Sequence, residues 1–322
     1  MKARVAWMLP VCMMTLAGAG WAQTAATGSG QAYPVKPLRF ITAAAGGGSD
    51  FATRLIATPL GPALGQQVIV DNRGVLASDI AAKAPADGYS LLVVGPTLWL
   101  LPFMRDSVGS DLSDFAPITM ATQTANMLVV HPTLPAKSVS ELIALAKAKP
   151  GQLNFVTSGT GNSVHIAGEL FKSMTGTDIV RVNYKGASQA LTDLASGQTQ
   201  LMFAVPGSVM PHVKVGRLRA LAVTSARPTA LAPGLPTVAA SLPGYESVSY
   251  LAIFAPAGTP APVISRLNQE IVRVLNRPDV KEKFFSAGIE TVGSSPEALA
   301  ALVKAEVGRM GKVIKAAGIR AD

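Results

Sequence analysis

The chain holds very little of the chemistry that catalysis and cross-linking draw on. Its 322 residues include one cysteine and three histidines, only 15% of them are charged and 6% are aromatic. The single cysteine, Cys12, sits in a leader-like segment: Lys2 and Arg4 form a positive n-region, Val5 to Leu16 is apolar and uncharged, and Gly20-Trp21-Ala22 places small residues where a signal peptidase reads. A bilayer span needs ~18 apolar residues, more than this stretch offers. Residues 1–22 are therefore expected to be a cleaved signal peptide, with the mature chain starting near Gln23. Cleavage takes away the only thiol, which excludes disulfides, a cysteine nucleophile and a lipid on a mature N-terminal cysteine. It also removes two cations and no anion from a net charge of +9, leaving +7.

Adjacent basic residues are absent from the mature chain as well. Its Lys and Arg are scattered from Lys36 to Arg320 without the run or the interleaved aromatics of a polyanion groove, which argues against a nucleic-acid partner. Two uncharged stretches, Gly88 to Met104 and Ser247 to Ser265, are interrupted by prolines and do not read as membrane spans. What remains is 49% hydrophobic with 30 glycines and 23 prolines, a mixture that excludes disorder, collagen and coiled coil. The length favours two lobes or one large α/β unit.

Strand-like runs alternate with helical patterns, the signature of βαβ units around a parallel sheet. Leu38 to Thr42 reads as a strand, Phe51 to Leu64 as a helix closed by Gly65, and Gln67 to Asp71 and Leu91 to Val94 as strands. Ser138 and Glu141 form a capping-box pattern ahead of a helix stopped by Pro150-Gly151. A second series then repeats the first: strand Leu153 to Val156, a Gly-rich loop, helix Val164 to Met174 ending at Gly176, and strand Asp178 to Val182. A helix near Ser188 to Ala195 and strands Thr199 to Phe203 and Leu218 to Val223 follow. Thr224 to Ala261, rich in Pro and Gly, reads as a long surface crossing with one strand near Tyr250 to Phe254. Helices Pro262 to Asn276, a short one after Asp279, and Pro296 to Ala317 capped by Ser295 close the chain.

Three loops put glycines directly before a helix: Gly46-Gly47-Gly48-Ser49-Asp50, Ser158-Gly159-Thr160-Gly161-Asn162-Ser163 and Tyr184-Lys185-Gly186. The first turn of a helix has unpaired N–H groups and a partial positive charge, and glycine lets a ligand approach the backbone. Such loops gather at the carboxyl ends of parallel strands, so three of them suggest an anion-binding cleft, although glycines also serve tight turns that bind nothing. None fits a phosphate-cofactor fingerprint, and a small carboxylate suits them better than a nucleotide. Asp50 reads either as a plain N-cap or as an acceptor facing the cleft. Tyr184 and Phe203, at strand ends, either wall a pocket or pack in the core. No G-x-S-x-G elbow is present, and His165 with Glu169, four apart, reads as a solvated or capping pair rather than a metal site. Ser163 reads as a helix cap. No cofactor and no metal are expected.

A series of short motifs resembles one family from end to end: Tyr33-Pro34-Val35-Lys36-Pro37-Leu38-Arg39, Leu64-Gly65-Gln66, Asp71-Asn72-Arg73, Asp87-Gly88-Tyr89, Asp114-Phe115-Ala116-Pro117, Tyr184-Lys185-Gly186, Leu235-Pro236-Thr237-Val238 and Ala255-Pro256-Ala257-Gly258-Thr259-Pro260. Their order is that of the Bug, or TctC-like, receptors. The resemblance implies a periplasmic solute-binding protein of the type II periplasmic-binding-protein fold, not an enzyme, in which two doubly wound α/β lobes joined by a hinge close over a small carboxylate. It implies service to membrane subunits of a tripartite tricarboxylate transporter. The lobes are expected at 33–128 with 226–322 and at 129–225, in a monomer.

Carried over, the ligand loops are Ala44, Ala45, Gly46, Gly47 and Asp50 on one lobe, and Ser158, Gly161, Asn162, Ser163, Tyr184, Lys185 and Gly186 on the other; Phe203 joins the expected site from its strand-end position. Two departures fall beside them: Thr42-Ala43-Ala44-Ala45 replaces the family's Pro-Phe-Ala-Pro, and the segment after Arg73 is about four residues shorter. Both predict a differently shaped mouth. A secreted sensor or scaffold, and an exported hydrolase, are the alternative readings.

Overall fold

The computed structural model describes residues 33–46, 48–106, 108–157, 161–184 and 186–320. The expected signal peptide and three expected site residues, Gly47, Ser158 and Lys185, lie outside the described residues. The elements run β1 (Leu38–Thr42), α1 (Gly48–Leu64), β2 (Val68–Asn72), α2 (Ala77–Ala82), β3 (Ser90–Val94), α3 (Thr97–Leu100), β4 (Phe115–Ala125), β5 (Met127–Val130), α4 (Val139–Ala148), β6 (Asn154–Thr157), α5 (Ser163–Thr175), β7 (Val180–Asn183), α6 (Ala187–Ala195), β8 (Leu201–Ala204), α7 (Pro206–Lys214), β9 (Arg219–Val223), β10 (Val248–Pro256), α8 (Ala261–Leu275), α9 (Pro278–Ser286), β11 (Glu290–Thr291) and α10 (Pro296–Ala316). Among the described residues no helix is long and apolar enough to cross a membrane.

Two sheets form, in the orders β11-β4-β10-β3-β1-β2 and β7-β6-β8-β5-β9. Strand β1 pairs in parallel with β2 and β3, and β6 in parallel with β7 and β8. Counted from β2 and from β7, the fourth strand of each sheet, β10 or β5, runs antiparallel to its neighbours. The repeat suggested by the sequence is thus a repeat of topology: β2-β1-β3-β10-β4 has the same order as β7-β6-β8-β5-β9. This is the two-lobed, doubly wound α/β class expected from the sequence.

Residues of period two divide between the two faces of each strand, as buried sheets require. In β10, Leu251, Ile253 and Ala255 join Phe40, Ile56, Leu267 and Phe284 in a core under α1, α8 and α9. Its alternate residues Tyr250, Ala252 and Phe254 face a second core shared with Trp99, Phe171, Phe203 and the α10 residues Leu299, Val303 and Ile314. A third core sets Met127 and Val129 of β5 against Leu194 of α6 and Val209 of α7.

Local chemistry explains the element ends. Helix α5 starts at Asn162, whose side chain accepts the His165 N–H, and ends at Gly176, where φ of +62° favours glycine. Thus Asn162, not Ser163, is the cap. At α4 the Ser138 hydroxyl accepts the Glu141 N–H, but the Glu141 carboxylate reaches the Lys137 N–H at 2.7 Å, one residue further out than a capping box. Helix α1 begins three residues before Phe51, which places Asp50 in its first turn instead of at its cap.

The sheets exchange strands at two places. Strand β4 of the first sheet becomes β5 of the second across Asn126, two residues before the boundary expected after 128. The return lies between Val223 and Val248, an interval that includes the expected 225/226. The intervening residues pack on the second sheet: Thr237 bridges Val223, and Tyr245 is buried against Phe171 and Phe203 with its hydroxyl on the Ala167 carbonyl at 2.9 Å. This segment is therefore not only a surface crossing, and β10 is an interior strand. The crossings are sewn together: the Asn126 N–H donates to Thr224 Oγ1 (2.8 Å), the Thr224 N–H to the Asn126 carbonyl (2.9 Å), and the Ser247 N–H to the Thr224 carbonyl (2.9 Å).

Candidate functional site

Helix α1 grows out of the loop after β1, and that loop is held by its own carboxylate. Asp50 Oδ2 accepts the Gly46 N–H at 2.9 Å, while Oδ1 accepts from Arg54 Nε (2.9 Å) and Asn72 Nδ2 (3.0 Å). Asn72 also donates to the Ala43 carbonyl at 3.0 Å. The Gly46 N–H, then Asn72 and Arg54, hold the Asp50 carboxyl below its usual range. Asp50 organises the loop from within, and the loop's Ala44 and Ala45 are exposed.

On the second sheet the loop after β6 is held from the helix it leads into. The Gly161 N–H donates to His165 Nδ1 at 3.0 Å, so the ring proton sits on Nε2, 3.8 Å from Glu169 Oε1. His165 is 2% exposed and Glu169 9%, so the pair is buried, not solvated. Burial, followed by the charges of Arg181 and Lys172, pushes the His165 imidazole down to about 4. The Glu169 carboxylate also has Lys172 at 3.3 Å. Among the described residues, no three His, Cys, Asp or Glu side chains come together as metal ligands.

Two adjoining cavities lie where these helix starts face β4, β10 and α10. One, of about 600 Å³, is lined by Gly46, Ser49, Thr122, Thr124, Asn126 and Tyr250, among others. The other, of about 330 Å³, takes in Thr97, Gly161, Asn162, Ser247 and Glu306. Ser49, Ser163 and Ser249 line both. Ser49 lies in the first turn of α1, and Ser163 is the first residue of α5, so positive helix ends from the two sheets meet in one space. A shallow groove of about 850 Å³ beside Gly61 and Gly65 lies away from these loops.

The expected site residues divide accordingly. Gly46, Gly161, Asn162 and Ser163 border the cavities. Tyr184 and Gly186 border neither: the Tyr184 hydroxyl donates to Asp193 Oδ2 at 2.7 Å, and Gly186 caps α6. Phe203 is fully buried between Phe171 and Tyr245, so its ring belongs to the core and meets no ligand space. The residues missed from the sequence are strand hydroxyls, Thr122 and Thr124 on β4 and Ser249 on β10, together with Ser247, Thr97 and Asn126. Pairs spaced by two, Thr122/Thr124 and Ser247/Ser249, were the available signal. Asn126 is 1% exposed, and neither amide atom has a protein partner. Glu306 of α10 is held by Arg309, which also donates to the Glu246 carbonyl at 2.6 Å; burial still raises the Glu306 carboxyl above its ordinary value.

Two α/β sheets of one topology in a single compact unit, linked by paired crossing strands beside a polar cavity, define a protein that holds small solutes between two lobes. The sequence profile described as tripartite tricarboxylate transporter family receptor matches residues 52–319, and the chain belongs to that family of solute receptors. It is 33% identical to the protein BugT of Bordetella pertussis over 97% of this chain and 98% of that one. Among solved structures, Rpa4515 of R. palustris with adipate is 35% identical with a TM-score of 0.73, covering 90% of this chain and 99% of that one. MatC of Rhodopseudomonas palustris with bound malate is 26% identical with a TM-score of 0.68, covering 88% and 100%.

Proposed function

We propose that the chain is an exported periplasmic receptor that captures a small carboxylate between lobes built on its two sheets and presents it to membrane subunits of a tripartite tricarboxylate-type transporter. One observation carries this reading: the starts of α1 and α5, one from each sheet, border the same two cavities through Ser49 and Ser163. Unpaired N–H groups and the helix dipoles there favour an anion. The adipate and malate held by the two relatives agree in charge. A ligand bridging both helix starts stabilises the closed arrangement, with bending at the stitched crossings around Asn126, Thr224 and Ser247, and the closed shape is what the membrane partner reads. The mechanism involves no chemical change in the ligand.

Calorimetry of the purified mature protein against a carboxylate panel tests the reading. Saturable binding of at least one carboxylate, with none of its neutral amide, is expected. Binding confined to neutral solutes would remove the basis for this site.

A further inference from the structure

The smaller cavity joins its helix starts to walls of a different character. Val94, Leu100, Ile166, Val248 and Met310, from five elements, and Met104, just after α3, supply apolar surface. Among the described residues that line it, Glu306 is the only charged one and none is Lys, Arg or His. The neighbouring cation does not offset this. Arg309 is engaged by the Glu306 carboxylate, by the Glu246 carbonyl and by the Glu246 carboxylate at 3.6 Å, so with both carboxyls ionised these three side chains carry one net negative charge. The larger cavity has no charged side chain among its described lining residues.

A second carboxylate on the ligand would thus enter space with apolar walls, no described cation and an acidic side chain whose own ionisation burial already opposes. Removing a carboxylate from water without a partner is costly, whereas an apolar tail gains about fourfold in affinity per buried methylene. We propose that this receptor is built for a monocarboxylate with an apolar body, and that Glu306 is the residue that discriminates against dicarboxylates. The inference rests on the carboxylate reading above and narrows it.

Four six-carbon probes of matched length separate the cases by calorimetry: hexanoate, adipate, 6-aminohexanoate and hexanamide. Hexanoate is expected to bind at least about tenfold more tightly than adipate, and hexanamide not to bind. Adipate equal to or tighter than hexanoate overturns the inference and leaves the carboxylate reading standing. Tighter binding of 6-aminohexanoate also overturns it, because Glu306 would then be reading a cation. Hexanamide binding as well as hexanoate, or no binding by any probe or by benzoate and malate, overturns the carboxylate reading and the inference with it.

Glu306→Gln keeps an acceptor for Arg309, and thermal unfolding checks its fold. It should improve adipate by about tenfold while hexanoate moves by less than about threefold; an unchanged ratio overturns the role given to Glu306. Should that variant not fold, Met310→Gln takes its place. It leaves the charge alone and should weaken hexanoate at least about threefold, and no effect refutes the apolar seat.

Discussion

Lowering the pH should loosen this protein through one buried imidazole. His165 Nδ1 accepts the Gly161 N–H, and the ring lies beside Lys172 and Arg181, so its affinity for a second proton drops to about 4 from 6.5. Between those two values the unfolded chain binds a proton that the folded chain refuses, so stability rises with pH there and is lost as pH falls. The difference of about 2.5 units is worth about 3.4 kcal/mol in full. At pH 5 about 2 kcal/mol of it should be gone relative to pH 8, a fall in Tm of about 3 °C for a chain of about 300 residues. Protonation also turns Nδ1 into a donor facing the Gly161 N–H, so the loop before α5 loses its tie. The assay is thermal unfolding from pH 4 to pH 8 for the wild type and for His165→Asn, whose side-chain oxygen accepts in the δ position without titrating. The variant loses some packing at every pH, and its profile should be flatter than the wild type's by about 2 kcal/mol between pH 8 and pH 5. Parallel profiles would refute the assignment of this slope to His165.

Other expectations follow from single contacts. A Cβ at Gly168 would sit 2.2 Å from Phe155 Cε2, so Gly168→Ala should cost about 1–3 kcal/mol in urea unfolding despite the helix-favouring alanine, and a stabilised variant would contradict the close approach of α5 to β6. Phe203→Ala should lose about 3–5 kcal/mol of stability while the folded fraction keeps its ligand affinity; weakened binding at unchanged stability would instead make Phe203 a ligand wall. Asp50→Ala removes the acceptor shared by Gly46, Arg54 and Asn72, so hydrogen exchange at the Gly46 amide should accelerate and ligand affinity should fall; persistent protection would show that the loop is held elsewhere. Intact-mass measurement of the exported protein should find a chain starting near Gln23, and retention of Met1 to Ala22 would sink the proposed export route.

Much of the first unit in each lobe was legible because its signals are local. Gly65 and Gly176 close helices whose apolar residues recur with helical spacing, and short β-rich runs precede them. The interior strands β4 and β5 were not legible. Phe115 to Val130 carries Pro117 and three threonines and has no turn signal, and it becomes strand only because β10 pairs along the whole of β4, which takes up extra residues at Ile118, beside Pro117, and at Ala121. The site shows the same division. Helix-start residues such as Gly161 and Asn162 could be read from spacing, whereas Glu306 is brought to the cavity from 145 positions beyond Gly161 by the packing of α10, which no local pattern encodes.

Asn126 joins these two failures of legibility into one physical point. It is the single residue between β4 and β5, so its backbone must serve two sheets, and both of its main-chain groups are satisfied by Thr224. Its side chain has no such provision: donor and acceptor are buried beside the larger cavity without a protein partner, which costs about 1–3 kcal/mol for each unpaired group. An apolar residue of similar size would avoid that cost in this arrangement. The amide is therefore better suited to a state in which a ligand, or water carried with it, supplies the missing partners, and it lies where the strands cross between sheets. Asn126→Leu should accordingly leave the unliganded protein as stable or more stable while weakening ligand binding, read by thermal unfolding with and without a bound carboxylate. A variant that loses stability without ligand and keeps its affinity would show that Asn126 serves this arrangement alone.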